Sequence, residues 1–288
     1  MSRPTVISPA AIAHNLERQS ERHTTPCGAG RLIWRRWRAS TPANRPLVLV
    51  HGGSGSWTHW FKVIPLLRDT RDVWCVDLPG LGDSAMPPEP LTPATSGAIL
   101  ADGVRELFGA NTIDLCAFSF GAHVSTYAAA NLKQSLASFT LSGAAAMGLP
   151  HPELDFPKER AGMSDDEKNE QHRKLLEILM FKDPARIDAL AIYLQSENIA
   201  RARFRSRTFA ASSDIAKLLP DVTAPLGAIW GDSDPLALPD LPTRYAVLRE
   251  HHPELIAHTI KDAGHWVAYE QPELFAIALE HILEARAA

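Results

Sequence analysis

The chain has 288 residues, 45% hydrophobic and 22% charged, with a formal net charge of −4. That size suits one large globular domain with room for an insertion, and the composition excludes a disordered chain. The slightly acidic balance offers no basic surface to nucleic acid, so none is expected as a partner.

The first residues, MSRPTVISPAAIAHNLERQSERH, are polar and amphipathic. They lack an apolar core followed by a cleavage site, so no secretory signal is expected. No stretch reaches about eighteen uninterrupted apolar residues, so no membrane span is expected. Residues 46–53 (PLVLVHGG) read as a buried strand ending in glycines, followed by a tryptophan-rich amphipathic stretch over 58–67. A second strand covers 72–80, a helix 92–108, a third strand 112–119, a small-residue helix 121–132 and a fourth strand 138–144. Near-continuous apolar strands separated by helices predict a parallel sheet covered on both faces.

The pattern changes over 147–218, which is polar and helical with no convincing strand. Its pieces are 164–181, 183–200 and 202–219, and Ser164 with Glu167 three residues on suits a helix start. Strand-helix alternation resumes with 225–235, a helix over 241–251, a strand within 255–265 and a last helix over 272–287. The expected fold class is α/β: a mostly parallel sheet formed by 1–146 and 219–288, with helices on both faces and a helical cap inserted at 147–218. Cys75 and Cys116 fall in strand-like apolar runs, and Cys27 makes the total odd. A disulfide framework is not expected, and a reducing cytoplasm is the expected location.

Ala117-Phe118-Ser119-Phe120-Gly121 places a serine between a strand and a helix with almost no loop. Such a corner presents the hydroxyl at the carboxyl edge of the sheet, and small neighbours let strand and helix approach. Ala117, Gly121 and Ala122 are small. A simple helix-capping role for Ser119 is the plain alternative. A serine nucleophile needs a base and an orienting acid. Both follow in chain order on loops after later strands: Asp232 and Asp234 in GDSDP, and His265 in DAGHW. Spacing does not choose between the two aspartates, and Asp232 could hold the turn instead. The glycine-rich turn His51-Gly52-Gly53-Ser54-Gly55 offers the Gly53 amide, and Phe120 offers the amide after the serine, as an oxyanion hole. His51 reads as a structural residue of that turn. A dinucleotide loop is the rival reading, but its third glycine would fall at Thr58. His251, His252 and His258 lack metal-ligand spacing. Neither a cofactor nor a metal is therefore expected.

These segments together resemble the α/β-hydrolase superfamily, in its capped branch. The matching stretches are HGGSGSWTHW from His51, DLPGLGDS from Asp77, AFSFGA from Ala117, GDSDP from Gly231 and GHWVAYEQPELF from Gly264. The resemblance implies that Asp234, last in a G-x-x-D pattern, is the acid, and that 147–218 roofs the site. A serine at the corner disfavours haloalkane dehalogenases and epoxide hydrolases, which carry aspartate there. Hydrolases of meta-cleavage products resemble this chain in HGG and GHW but have asparagine where it has Phe118. The expected activity is acyl hydrolysis of a small molecule by Ser119, His265 and Asp234. Carbon–carbon hydrolysis, a receptor on the same scaffold, and a cofactor-free oxygenase or lyase are the alternatives. Self-association into a homo-oligomer stays open.

Arg201, Arg203, Arg205 and Arg207 fan around a predicted helix; most are expected to be solvated, and one, taken as Arg203, to meet a substrate carboxylate. Phe118 and Trp266 are the expected aromatic contacts of an apolar substrate pocket.

Overall fold

The structure is a computed structural model, and it describes residues 7–158 and 160–286. It opens with α1 (Pro9–Glu17), β1 (Glu21–Cys27) and β2 (Gly30–Trp37). Next come β3 (Leu47–Val50), α2 (Ile64–Leu67), β4 (Val73–Asp77) and α3 (Pro93–Phe108). Then follow β5 (Ile113–Phe118), α4 (Phe120–Leu132) and β6 (Leu136–Ser142). Between β6 and the next strand lie α5 (Asp165–Leu179), α6 (Ala189–Ala200) and α7 (Asp214–Leu218). The chain closes with β7 (Leu226–Gly231), α8 (Leu241–Arg249), β8 (Ile256–Ile260), α9 (Val267–Glu270) and α10 (Pro272–Glu284).

The eight strands form one sheet in the order β1-β2-β4-β3-β5-β6-β7-β8. The β1–β2 and β2–β4 pairs are antiparallel, and every later pair is parallel. Alternate residues of each strand face opposite sides of the sheet. Val48 and Val50 accordingly join the layer with Leu100, Val104, Val124 and Leu248 from α3, α4 and α8. Leu47 and Leu49 join Leu16, Ile64, Leu279 and Ile282 from α1, α2 and α10 on the other face. Both faces are covered, which is why the central strands carry unbroken apolar runs.

Strand order reverses at β3. The chain leaves β3 for β4 on one side, then returns to place β5 on the other. Open α/β sheets place ligands outside the carboxyl ends of strands at such a reversal. Val50 pairs with Ala117, so the loop after β3 and the corner after β5 end side by side.

Two regions of the chain differ from the sequence expectation. The N-terminal helix and the β1–β2 hairpin follow no long apolar run. Arg35 sits inside β2, its charge met by Glu17, Asp77 and Asp83 at 2.7, 3.0 and 2.5 Å. Residues 201–218 are helical only over a short 3-10 turn at Ser206–Phe209 and over α7. Helix formation there is interrupted because the Arg203 and Phe204 amides donate to the Gly80 carbonyl instead, at 2.9 and 3.1 Å. The predicted start of α5 is present as a reciprocal cap. Glu167 N donates to Ser164 Oγ and Ser164 N to Glu167 Oε2.

Candidate active site

Ser119 stands between β5 and α4 with φ 53° and ψ −119°. A non-glycine residue there is strained by of order 1–3 kcal/mol, held by its surroundings. Its amide donates to the Ser142 carbonyl at 2.8 Å, tying the corner to β6. Gly121 is dictated by proximity: a Cβ there would lie 2.2 Å from the His51 carbonyl oxygen. Ala117, at the first position of the motif, is fully buried.

His265 Nε2 lies 2.9 Å from Ser119 Oγ, and His265 Nδ1 lies 2.8 Å from Asp234 Oδ2. An ionised carboxylate can only accept, so Nδ1 carries the ring hydrogen and Nε2 is left to accept from the serine. The His265 and Asp234 side chains are 1% and 0% exposed, which shields the bond between them from water. Asp234 Oδ1 accepts from the Leu236 amide at 2.8 Å. Asp232 instead faces outward to Ser233, Lys182 and Lys261. Geometry thus distinguishes two aspartates that spacing left equal.

Gly53 and Phe120 both line the cavity beside Ser119. Phe120 is the first residue of α4, so its amide has no intrahelical carbonyl to reach. His51 holds the turn: Nδ1–H donates to the Gly52 carbonyl at 2.7 Å, and Nε2 accepts from the Leu78 amide at 2.9 Å. His59 Nδ1 accepts from the Gly52 amide at 3.1 Å. Burial pushes the pKa values of both histidines down, that of His59 well below its usual range.

The cavity has a volume of about 340 Å³. Phe118 and Phe120 form part of its floor, and Leu154, Leu175, Met180 and Ile199 line it from the segment between β6 and β7. Among the described residues Lys168 and Arg207 line it as well, and no Asp or Glu does.

Two expected substrate contacts sit elsewhere. Trp266 is fully buried beneath the site and donates from Nε1 to the His59 carbonyl at 2.7 Å. Arg203 turns away from the cavity and donates from Nη2 to the carbonyls of Ser84 and Gly82, at 2.5 and 3.3 Å. Of the arginine run, Arg207 reaches the cavity, stacked 4.1 Å from the Phe156 ring.

Three features had no signal strong enough to find them. Glu270 is buried, and its carboxylate accepts from the amides of Gly264, Lys182 and Asp183 at 2.7–3.1 Å. It thereby fastens the His265 loop to the segment after α5. His123, one turn beyond Ser119, lines the cavity and pairs through Nε2 with Asp214 Oδ2 at 2.8 Å. Burial lowers the His123 pKa, and Asp214 opposes that shift. Ser206 packs against the Gly53 turn. A histidine four residues after the serine was the one local hint of any of these.

A family model described as "Alpha/beta hydrolase family" matches residues 47–278. The chain belongs to the α/β hydrolase family. Among its relatives is YugF, an uncharacterized hydrolase of Bacillus subtilis (strain 168), 26% identical over 84% of this chain and 90% of that one. A 2-hydroxy-6-oxononadienedioate/2-hydroxy-6-oxononatrienedioate hydrolase of Pseudomonas sp is 24% identical over 80% of this chain and 84% of its own. The solved structure of a thermophilic esterase from Thermogutta terrifontis superposes with a TM-score of 0.68 at 22% identity, covering 94% of this chain and 100% of that one. This α/β hydrolase therefore shares its fold across the whole core. None of its described helices is long and apolar enough to cross a membrane.

Proposed function

We propose that this α/β hydrolase is a serine hydrolase that cleaves an ester or related acyl bond of a small molecule. Ser119 Oγ bonds to the substrate carbonyl carbon as its proton passes to His265 Nε2, and the carbonyl π pair moves onto oxygen. The Gly53 and Phe120 amides receive that oxyanion. Asp234 keeps the imidazole oriented and stabilises its charged form. When the carbonyl re-forms, the leaving group departs with the proton from Nε2. Water, deprotonated by the same nitrogen, then attacks the acyl-enzyme and frees Ser119.

The observation carrying this reading is the unbroken line of two hydrogen bonds, Ser119–His265–Asp234, opening onto a largely apolar cavity. Residues 147–218 act in it as the roof that selects substrate. Carbon–carbon hydrolysis is the second reading, favoured by similarity to the Pseudomonas hydrolase. An activity screen over esters of graded chain length plus a dienoate, with Ser119→Ala as control, separates the two. Ester turnover that disappears in the control is the expected result. Dienoate cleavage without ester turnover selects the second reading, and near-normal turnover by Ser119→Ala contradicts both.

A further inference from the structure

Ser206 belongs to the segment between β6 and β7, yet it sits on the turn that would hold the oxyanion. A Cβ placed on Gly53 would lie 2.3 Å from Ser206 Oγ and 3.5 Å from Phe120 Cβ. The hydroxyl and the residues bearing both proposed amide donors therefore meet around one point. Ser206 is 6% exposed and lines the cavity. A hydroxyl on a cavity-lining residue beside that turn can donate a hydrogen bond to a bound group.

The position is also firmly held. Arg203 and Phe204 donate their amides to the Gly80 carbonyl, and the Arg203 side chain donates to the Gly82 and Ser84 carbonyls. Phe204 packs on Phe120 with ring centroids 5.6 Å apart. Two residues on, the chain delivers Ser206 to Gly53. The same contact explains why position 53 must lack a side chain, since any Cβ would displace the hydroxyl.

Resting on the serine-hydrolase reading, we propose that Ser206 is a third oxyanion donor, supplied by the roof rather than by the core. Its O–H turns toward the substrate carbonyl oxygen as negative charge develops there, alongside the Gly53 and Phe120 amides. Arg203 is then a positioning residue for this donor. Because the donor comes from the roof, the oxyanion hole is complete only while 203–206 stays docked on the loop after β4.

The test compares wild type with Ser206→Ala and Ser206→Thr on the best ester substrate. It also measures affinity for an alkyl boronic acid, which mimics the tetrahedral intermediate, and for the product acid. For Ser206→Ala, kcat is expected to fall about tenfold or more with KM nearly unchanged, since loss of one such donor acts on the transition state. Boronate affinity falls in parallel, product affinity does not, and Ser206→Thr recovers much of the loss. Wild-type kcat and boronate affinity in Ser206→Ala would overturn the proposal, as would a rise in KM alone. Fluorophosphonate labelling of wild-type Ser119 is run beside it. No labelling removes the nucleophile reading and this proposal together, whereas normal labelling with an unaffected Ser206→Ala removes this proposal alone.

Discussion

Ser119 and Asp234 owe their proposed roles to geometry that single substitutions can probe. The Asp234 carboxylate accepts from His265 Nδ1, so Asp234→Asn would offer an amide and favour the wrong tautomer. A loss of about 10⁴ in kcat is the scale for that change in a serine triad. Asp232→Asn leaves the imidazole untouched and should stay within a few-fold of wild type in steady-state assays. Equal losses in the two variants would contradict the assignment. Arg207 carries a second prediction at this scale. It and Lys168 line a cavity with no described carboxylate, which suits a substrate with an acidic group. Arg207→Ala should raise KM for carboxylate-bearing esters about tenfold, the scale of one charge-assisted hydrogen bond, and leave neutral esters nearly unchanged. Identical shifts for both substrate classes would exclude that contact.

The elements around the site are fastened by buried charge as much as by apolar packing. Arg35 on β2 bonds Glu17 on α1, Asp77 at the end of β4, and Asp83 in the next loop. Asp77 Oδ1 in turn accepts from the Trp57 amide at 2.8 Å, in the loop that follows the Gly53 turn. Arg35→Met would leave the Asp77 carboxylate, 1% exposed, without its cation. The expected loss is about 3–5 kcal/mol of unfolding free energy in urea titration, with partial recovery when Asp77→Asn is added. An unchanged midpoint would show that the network is not holding the hairpin. This network also explains what the sequence left hidden. The inner strands and the Ser, Asp and His loops were legible because each is a local signature: an apolar run, then a small-residue or glycine turn. Strands β1 and β2, ERHTTPC and GRLIWRRW, carry charge and a proline. Their register depends on partners distant in the chain. The Glu270 clamp and the Ser206 contact likewise join residues more than eighty positions apart from each other. No window of the sequence contains both halves.

At the scale of the whole molecule, buried histidines make stability depend on pH. Burial holds His51, His59 and His123 below the ordinary histidine pKa. In the unfolded chain these rings protonate near pH 6.5, while in the folded protein they stay neutral to lower pH. Below about pH 6.5 the unfolded state therefore binds more protons, and stability falls as acid is added. Asp83 and Asp214, whose folded pKa values are lowered, add a further loss at more acidic pH, and Asp114, raised by burial, opposes it in part. Urea midpoints should be flat from pH 8 to 7 and decline from pH 6.5 to 5, with a shallower decline in His59→Gln. A flat profile down to pH 5 would contradict this account. The sheet and the reversal at β3 together bring three side chains from loops after β5, β7 and β8 to one point.

That convergence is tested most directly by intact and peptide mass spectrometry after brief exposure to a fluorophosphonate. The expected product is a single phosphonyl adduct on the peptide containing Ser119, absent in Ser119→Ala and formed at least a hundredfold more slowly in His265→Ala, in line with loss of a general base. An adduct on another residue, or equal labelling of wild type and Ser119→Ala, would contradict it.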